Sequence, residues 1–281
     1  MNFGAKGESV VSEGRTLETG TEELLAQLFD RVCVLTLNRP EARNALSADM
    51  KAALLELLPR LGRDEEVGCV LLTGAGGAFC AGGDTKSMAR EGKPQSPEER
   101  KSVVLRDHQI SLLLHTLPTP TIAAVAGPAA GAGFALALAC DLRICSDSAF
   151  FTTAYAKLGL PGDYGTAWFL THLVGLARAR ELMFVADRIE ATHAERIGLV
   201  NRVVPAVELE SEALELARRI ACGPPIALSW MKDALNRAPL GDLASSLELD
   251  AMRSCDAAQT EDYTEAIGAL RDKRTPKFKG R

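Results

Sequence analysis

The sequence predicts an α/β fold followed by a helical C-terminal region, and three observations support this. Two apolar strands, over residues 69–72 and 121–125, each end in a glycine-rich corner. Helical apolar spacing lies between and after these strands. Beyond about residue 207 the pattern is helical only. Alternation of strand, corner and helix is typical of a sheet covered by helices.

The N-terminal part begins with a polar stretch over residues 1–20, rich in Gly, Ser and Glu, which predicts a partly disordered, flexible extension. Residues 22–29 and 32–37 read as two strands around a turn. A helix is expected next, because leucines and a methionine recur at helical spacing and Ser47 is placed to cap its start: Leu46, Met50, Leu54, Leu57, Leu58 and Leu61.

The central part contains the two corners. The first is Phe79-Cys80-Ala81-Gly82-Gly83-Asp84, and the second is Gly127-Pro128-Ala129-Ala130-Gly131-Ala132-Gly133. Residues 90–106 are charged and predict a solvated loop that enters a helix over 103–115. A small-residue helix over 131–140 and a strand over 142–144 follow the second corner.

Three segments are therefore expected: the extension 1–20, an α/β core over 21–206 and a helical assembly region over 207–281. Helices are predicted there over 212–220, 226–238 and 243–270, with prolines between them. A helical tail of this size is often an assembly device, although folding back over its own core is the alternative.

Composition excludes several classes of protein. The chain of 281 residues is 47% hydrophobic and 25% charged, which is typical of a globular protein. A net charge of −5 argues against a general nucleic-acid binder. No apolar run approaches the roughly 20 residues of a membrane-spanning helix, and no signal peptide is evident. Seven scattered cysteines without a CxxC spacing favour neither a disulfide framework nor a zinc site, so a cytoplasmic location is expected.

The two corners suggest a chemistry. Small residues let a ligand approach the backbone closely and leave N–H groups free to point at it. Two such corners brought together would supply two preorganised donors, which is what an oxyanion requires. The sequence therefore favours an enzyme acting on an acyl thioester or an ester.

Four segments in order resemble the crotonase (enoyl-CoA hydratase/isomerase) superfamily. They are residues 37–46, residues 77–84, residues 127–141, and residues 186–189 with 194–200. The resemblance implies a spiral core of ββα units and a helical C-terminal region that forms a homotrimer or a homohexamer. It also implies an acyl-CoA substrate, with coenzyme A as part of that substrate and no tightly bound cofactor or metal. The two donors that stabilise a thioester enolate would be the N–H groups of Gly83 and Ala132.

The resemblance also bears on the reaction. The two glutamates of the hydratases correspond here to Ala135 and Tyr155, so a two-glutamate hydratase is disfavoured. Asp163 falls where single-acid isomerases of the family carry their carboxylate, and moving a double bond needs one such group. Asp163 could instead cap a turn or the helix expected near Thr166. A hydratase or hydrolase with a different acid/base, and a non-catalytic CoA-thioester binder, are the alternative functions.

Coenzyme A carries several negative phosphates, so cations are expected in its groove. By resemblance, Arg43, Lys86 and Lys273 would contact it, the last from a neighbouring subunit. Asp84, at the end of the first corner, is included among the CoA-binding residues.

Overall fold

A seven-stranded mixed sheet forms the centre of the chain, whose computed structural model describes residues 14–84 and 96–281. Its order is β1-β2-β3-β4-β5-β7-β10, and β6, β8 and β9 form a second, three-stranded sheet. From β3 to β10 the neighbours in the large sheet are parallel. The strands are β1 (Arg15–Leu17), β2 (Leu24–Phe29), β3 (Val32–Leu37), β4 (Cys69–Gly74), β5 (Thr121–Val125), β6 (Pro128–Ala130), β7 (Leu142–Ser146), β8 (Phe150–Thr152), β9 (Ile189–Glu190) and β10 (Arg202–Val204).

The α-helices of the described ranges confirm the α/β core with a helical C-terminal region. They are α1 (Ala48–Leu61), α2 (Pro97–Thr116), α3 (Ala132–Ala139), α4 (Thr166–Val185), α5 (Ala191–Arg196), α6 (Leu209–Ala221), α7 (Pro225–Arg237), α8 (Leu243–Ala257) and α9 (Glu261–Asp272). Ser47 caps α1 as predicted, since its hydroxyl accepts the Met50 N–H at 3.0 Å. No helix in the described ranges is long and apolar enough to cross a membrane.

Three expectations about element boundaries are corrected. Residues 15–17 of the predicted extension form β1. This strand pairs with β2 and so provides hydrogen-bond partners for the backbone groups on the outer edge of β2. Residues 1–13 lie outside the described residues. Helix α2 starts at Pro97 rather than near residue 103, because Ser96 and Glu99 form a capping box. The single helix expected over 243–270 is two helices, and Thr260 caps the second by accepting the Tyr263 N–H at 3.0 Å.

The sheet has a separate hydrophobic cluster on each face, as the alternation along its strands requires. Leu35 and Leu72 lie in the cluster shared with α1, α3 and α4, whereas Val34 and Leu71 lie in the cluster shared with α6. Helix α6 packs on β4 and buries three alanines there: Ala213, Ala217 and Ala221. It therefore covers the core, although it lies inside the predicted assembly region 207–281.

A buried ion pair ties α7 to the core. Lys232 is 7% exposed, and its ammonium lies 2.8 Å from the Asp141 carboxylate. The ammonium also donates to the carbonyls of Leu114 and Thr119, at 3.1 and 3.4 Å. Asp141 in turn accepts the N–H of Thr121, the first residue of β5, at 2.7 Å. One charged cluster thus joins α7, α2 and the strand that leads into the second corner.

Replacing Lys232 by Met should therefore destabilise the fold. The change removes one partner of the pair and leaves Asp141 without its cation, so we expect a loss of about 3 kcal/mol in the free energy of unfolding. Urea denaturation at fixed protein concentration measures this loss. Arg60→Met is the matched control, because Arg60 pairs with Glu56 on the exposed face of α1, and should cost less than about 0.5 kcal/mol. Equal midpoints for the two variants would contradict the proposed contribution of the pair.

Candidate active site

The two glycine corners are joined directly by backbone hydrogen bonds. Cys80 donates its N–H to the Pro128 carbonyl at 3.1 Å, and its own carbonyl accepts the Ala130 N–H at 2.9 Å. These bonds form a short parallel bridge between Cys80 and Ala129. The structure thus brings together the two segments that the sequence separates by about 50 residues.

Two glycines permit this close approach. A Cβ at Gly133 would lie 2.3 Å from the Cys80 carbonyl oxygen, which no side chain allows. A Cβ at Gly82 would lie 2.8 Å from the Ala130 oxygen, and Gly82 also has φ of +98°. The same Cβ position is 3.5 Å from the Ala132 nitrogen, so the first corner runs directly beside the start of α3.

The predicted donors, Gly83 and Ala132, lie on these adjoining segments. Leu46 donates its N–H to the Gly82 carbonyl at 2.8 Å, which holds the first corner from its other side. Ala132 is the first residue of α3, so its N–H has no acceptor within the helix. Neither N–H donates to a loop carbonyl in the described part of the chain. The positive end of the α3 dipole lies at the same place and favours an anion there.

The other end of α3 is held by a buried guanidinium. Arg143 is 3% exposed and donates to the carbonyls of Cys140, Leu138 and Ala137 at 2.6, 3.3 and 3.4 Å. Its Nε donates to the Leu199 carbonyl at 2.8 Å. These bonds satisfy carbonyls that an eight-residue buried helix would otherwise leave unpaired. Arg143 therefore fixes the helix whose first turn carries Ala132.

Asp163 forms a pair with His108 of α2. One carboxylate oxygen, Oδ1, contacts His108 Nε2 and also accepts the Tyr164 N–H at 3.1 Å. The two side chains are 33% and 31% exposed, so both are partly accessible to solvent. The turn bonds expected of Asp163 use its backbone carbonyl, which accepts the Thr166 N–H and hydroxyl at 3.0 and 2.8 Å. The carboxylate itself does not cap α4.

Tyr155 connects this loop to the second corner. Its ring lies 3.8 Å from the position of a Cβ at Gly131, and its hydroxyl forms a hydrogen bond with Thr166 Oγ1 at 3.0 Å. The same hydroxyl lies 3.4 Å from the Asp163 carbonyl. Burial raises the pKa of the Tyr155 phenol well above its ordinary value, so the phenol stays neutral. Ala135 is fully buried within α3, and neither position offers a carboxylate.

Sequence reasoning did not single out His108. It lies in a helix that was expected only to pack, 55 residues before Asp163, and no motif surrounds it. Its ring stands 5.2 Å from the ring of Tyr164, centroid to centroid. In the structure Ile110 and Leu114, four residues apart, are buried on the inner face of α2.

The structure describes three of the four predicted CoA-binding residues, and each lies in a different local setting. Arg43 is exposed, and its carbonyl accepts the Ala81 N–H at 2.9 Å, which places it beside the first corner. The Asp84 carboxylate lies 3.1 Å from the Arg39 guanidinium, so it forms an ion pair within the protein. Lys273 is exposed at the end of α9 and makes no ion pair with residues 14–84 or 96–281. Lys86 lies outside the described residues.

Two other titratable groups near the corners, the Cys80 thiol and the Tyr164 phenol, stay in their neutral forms. Burial raises the pKa of the Cys80 thiol to about 12, so it stays protonated between the two corners. Burial also raises the pKa of Tyr164, with Asp107 and Asp163 adding to the effect. Within residues 14–84 and 96–281, no group of three His, Cys, Asp or Glu side chains could hold a metal ion.

Known proteins are similar to this chain in sequence and in fold. The family model described as "Enoyl-CoA hydratase/isomerase" matches residues 29–281. The 1,2-epoxyphenylacetyl-CoA isomerase of Escherichia coli K12 is 38% identical over 260 residues, which cover 92% of this chain and 99% of that protein. The short-chain-enoyl-CoA hydratase of Clostridium acetobutylicum is 36% identical over 245 residues, covering 87% and 92%.

Solved structures agree with this relationship. The crystal structure of enoyl-CoA hydratase from Bacillus anthracis matches with a TM-score of 0.88 at 33% identity, over 92% of this chain and all of that chain. An enoyl-CoA hydratase from Polaromonas matches with a TM-score of 0.85 at 35% identity, over 91% and 99%. These matches confirm the predicted crotonase-like fold. The chain belongs to the enoyl-CoA hydratase/isomerase family.

Proposed function

We propose that the chain isomerises the double bond of an enoyl-CoA thioester, with Asp163 as its single acid/base. The supporting observation is the position of Asp163: its side chain is 33% exposed, and its backbone carbonyl lies 3.4 Å from the hydroxyl of Tyr155, whose ring lies beside Gly131 of the second corner. Positions 135 and 155, where the resembled hydratases carry glutamates, hold Ala and Tyr.

The reaction follows from two groups of atoms. The N–H groups of Gly83 and Ala132 would bind the thioester oxygen. The Asp163 carboxylate takes a proton from C2, and the electron pair of that C–H bond moves into a dienolate whose charge rests on the thioester oxygen. The same carboxyl group returns the proton to C4, and the electrons shift back to form the C2–C3 double bond. No external oxidant, metal or water is consumed.

Coenzyme A would enter as part of the substrate, with no tightly bound cofactor. Arg43, Lys86 and Lys273 remain the proposed contacts for its phosphates, because each carries a positive charge that attracts a multiply charged anion. Asp84 is a weaker candidate, since Arg39 already neutralises its carboxylate.

Water addition is the second candidate function, and His108 is the observation that favours it. A hydratase needs a second titratable group beside the carboxylate, and the imidazole of His108 lies in contact with Asp163. The relatives include an enzyme named an isomerase and one named a hydratase.

A paired assay separates the candidates. Purified protein is given 3-enoyl-CoA and 2-enoyl-CoA of medium chain length, and the products are resolved by mass and retention time. Double-bond migration without 3-hydroxyacyl product supports the isomerase. A 3-hydroxyacyl product would contradict the isomerase and indicate a hydratase that uses Asp163 and His108. Release of free coenzyme A would indicate a hydrolase. Binding with none of these products indicates a non-catalytic thioester binder.

We further propose that the C-terminal helices assemble the chain into a homotrimer or homohexamer. Apolar side chains of α7, α8 and α9 are more than half exposed in the single chain, namely Met231, Leu235, Leu243, Leu247, Met252, Ile267 and Leu270. An apolar surface of this extent is typical of an interface.

Asp163→Asn should abolish turnover without weakening thioester binding. The amide keeps the size of the carboxylate but cannot take the C2 proton, so we expect kcat to fall roughly 10³-fold. Calorimetry with a saturated acyl-CoA should give an unchanged Kd. Asp187→Asn is the control, because Asp187 is an exposed aspartate paired with Lys157, and it should leave both quantities unchanged. Wild-type turnover in the Asp163 variant would rule the proposal out.

Gly133→Ala should damage both stability and turnover. The new methyl group meets the Cys80 carbonyl, so the corners must separate; we expect a loss of about 1–3 kcal/mol in stability and roughly 100-fold in kcat. Gly268→Ala is a matched control in another helix, where the nearest atom is 3.7 Å away. That change should raise helix stability by up to about 1 kcal/mol and leave kcat unaltered. Similar effects from both variants would contradict the importance of this contact.

Charges on the C-terminal helices should break the assembly. The double variant Leu243→Lys, Leu270→Lys places two ammonium groups on the exposed apolar surface, where an interface would have to bury them at high cost. Sedimentation velocity should show monomers instead of trimers or hexamers. Val207→Lys, a change at an isolated exposed position between β10 and α6, is the control and should keep the assembly. A wild-type monomer would itself refute the proposal.

A further inference from the structure

We propose that His108 is a positioning residue that holds one oxygen of Asp163 and so presents the other to the substrate. The proposal rests on the proposed function, since it concerns the same carboxylate. It adds a second residue to the site and assigns different roles to the two oxygens of Asp163.

The hydrogen bonds of Asp163 support these different roles. An ionised carboxylate only accepts, so the proposed role requires the tautomer in which Nε2 of His108, the nitrogen in contact with Asp163, carries the hydrogen. The Tyr164 N–H donates to the same oxygen, Oδ1, at 3.1 Å. Oδ2 receives no donor from the residues that the structure describes. It is therefore the oxygen left to take the C2 proton.

The groups around His108 hold its ring in place. Its neighbour Asp107 is buried and forms an ion pair with Lys51 of α1, which fixes α2 against that helix. On the other side the ring of Tyr164 lies at 5.2 Å, inclined by 57°. Tyr164 itself has φ of +50°, a region that side chains rarely adopt, so this loop is strained and its geometry is imposed by its contacts.

Positioning is needed because the last torsion of an aspartate is loosely restrained. Rotation about this sp³–sp² bond has a broad energy profile, and a carboxylate without partners samples many orientations. Proton transfer from carbon requires a defined alignment, and misplacement by about 1 Å can cost roughly 100-fold in rate. Two donors on Oδ1 restrict this rotation.

The positioning role does not require that the other ring nitrogen of His108, Nδ1, carry a proton. When Asp163 is ionised, Nε2–H donates to Oδ1, and when Oδ2 carries the substrate proton, the same bond can persist. The proton therefore stays on Oδ2 until it returns to C4. If His108 instead relayed the proton to solvent, the proton returned to C4 would have exchanged with water during the reaction.

Two substitutions at His108 test the proposal. His108→Leu removes the donor, and we expect kcat to fall roughly 30-fold while KM stays within about twofold. His108→Gln offers an amide N–H at similar reach but cannot exchange a proton, and kcat should recover to within about threefold of wild type. His193→Leu is the control: His193, on α5, forms a hydrogen bond with Arg196, and replacing it should leave kcat unchanged. Circular dichroism and melting temperature verify folding of each variant.

The outcomes separate this proposal from the proposed function. Wild-type kcat in His108→Leu, with Asp163→Asn inactive, overturns the positioning role alone. A glutamine variant that is folded yet as slow as the leucine variant also overturns it, since the imidazole then carries a proton. Wild-type turnover in Asp163→Asn removes the proposed function instead. If His108→Leu does not fold, His108→Ala takes its place as the variant without a donor, with the same expected loss of kcat and the same contradicting result.

Discussion

The approach of Gly133 to the Cys80 carbonyl is the constraint on which the site depends. It allows two backbone segments to come closer than side chains would permit, and hydrogen bonds between residues 79–80 and 128–130 then join them. The start of α3 is thereby set beside Gly82, and the buried guanidinium of Arg143 secures the far end of that helix. The proposed oxyanion site is thus made almost wholly of backbone, so the side chains that matter there are chiefly the ones that glycine lacks.

The proposed acid/base group is positioned differently. Asp163 lies in a strained loop between Gly162 and Gly165, and its contacts come from three directions: α2, α4 and Tyr155. Side chains rather than backbone define this half of the site. Because Ala135 and Tyr155 take the places of two carboxylates, the neighbourhood of the second corner is less polar than a two-glutamate arrangement would be. This favours chemistry in which one proton stays with one carboxyl group.

Much of the fold could be predicted from local patterns. Short local patterns, each acting within a few residues, predict these elements. Apolar runs predict the strands over 69–72 and 121–125, glycines predict both corners, and one hydroxyl predicts the cap at Ser47. His108 could not be found in this way, since its partner is 55 residues away and only tertiary packing joins them. Strand β1 was missed because pairing with β2, rather than its own composition, makes it a strand. The break at residues 258–260 depends on one capping threonine in a continuous helical pattern.

The buried state of Cys80 has a practical consequence for chemical labelling. Of the seven cysteines, five are buried, and only Cys222 and Cys255 are exposed. On the single chain a thiol-directed reagent therefore meets two accessible sulfur atoms, one just after α6 and one in α8, and the second lies on a helix of the proposed interface. The thiol between the corners stays protonated and shielded. Spectroscopic probes can thus be attached to the helical region of the native sequence, without first removing the cysteine that lies at the junction of the two corners.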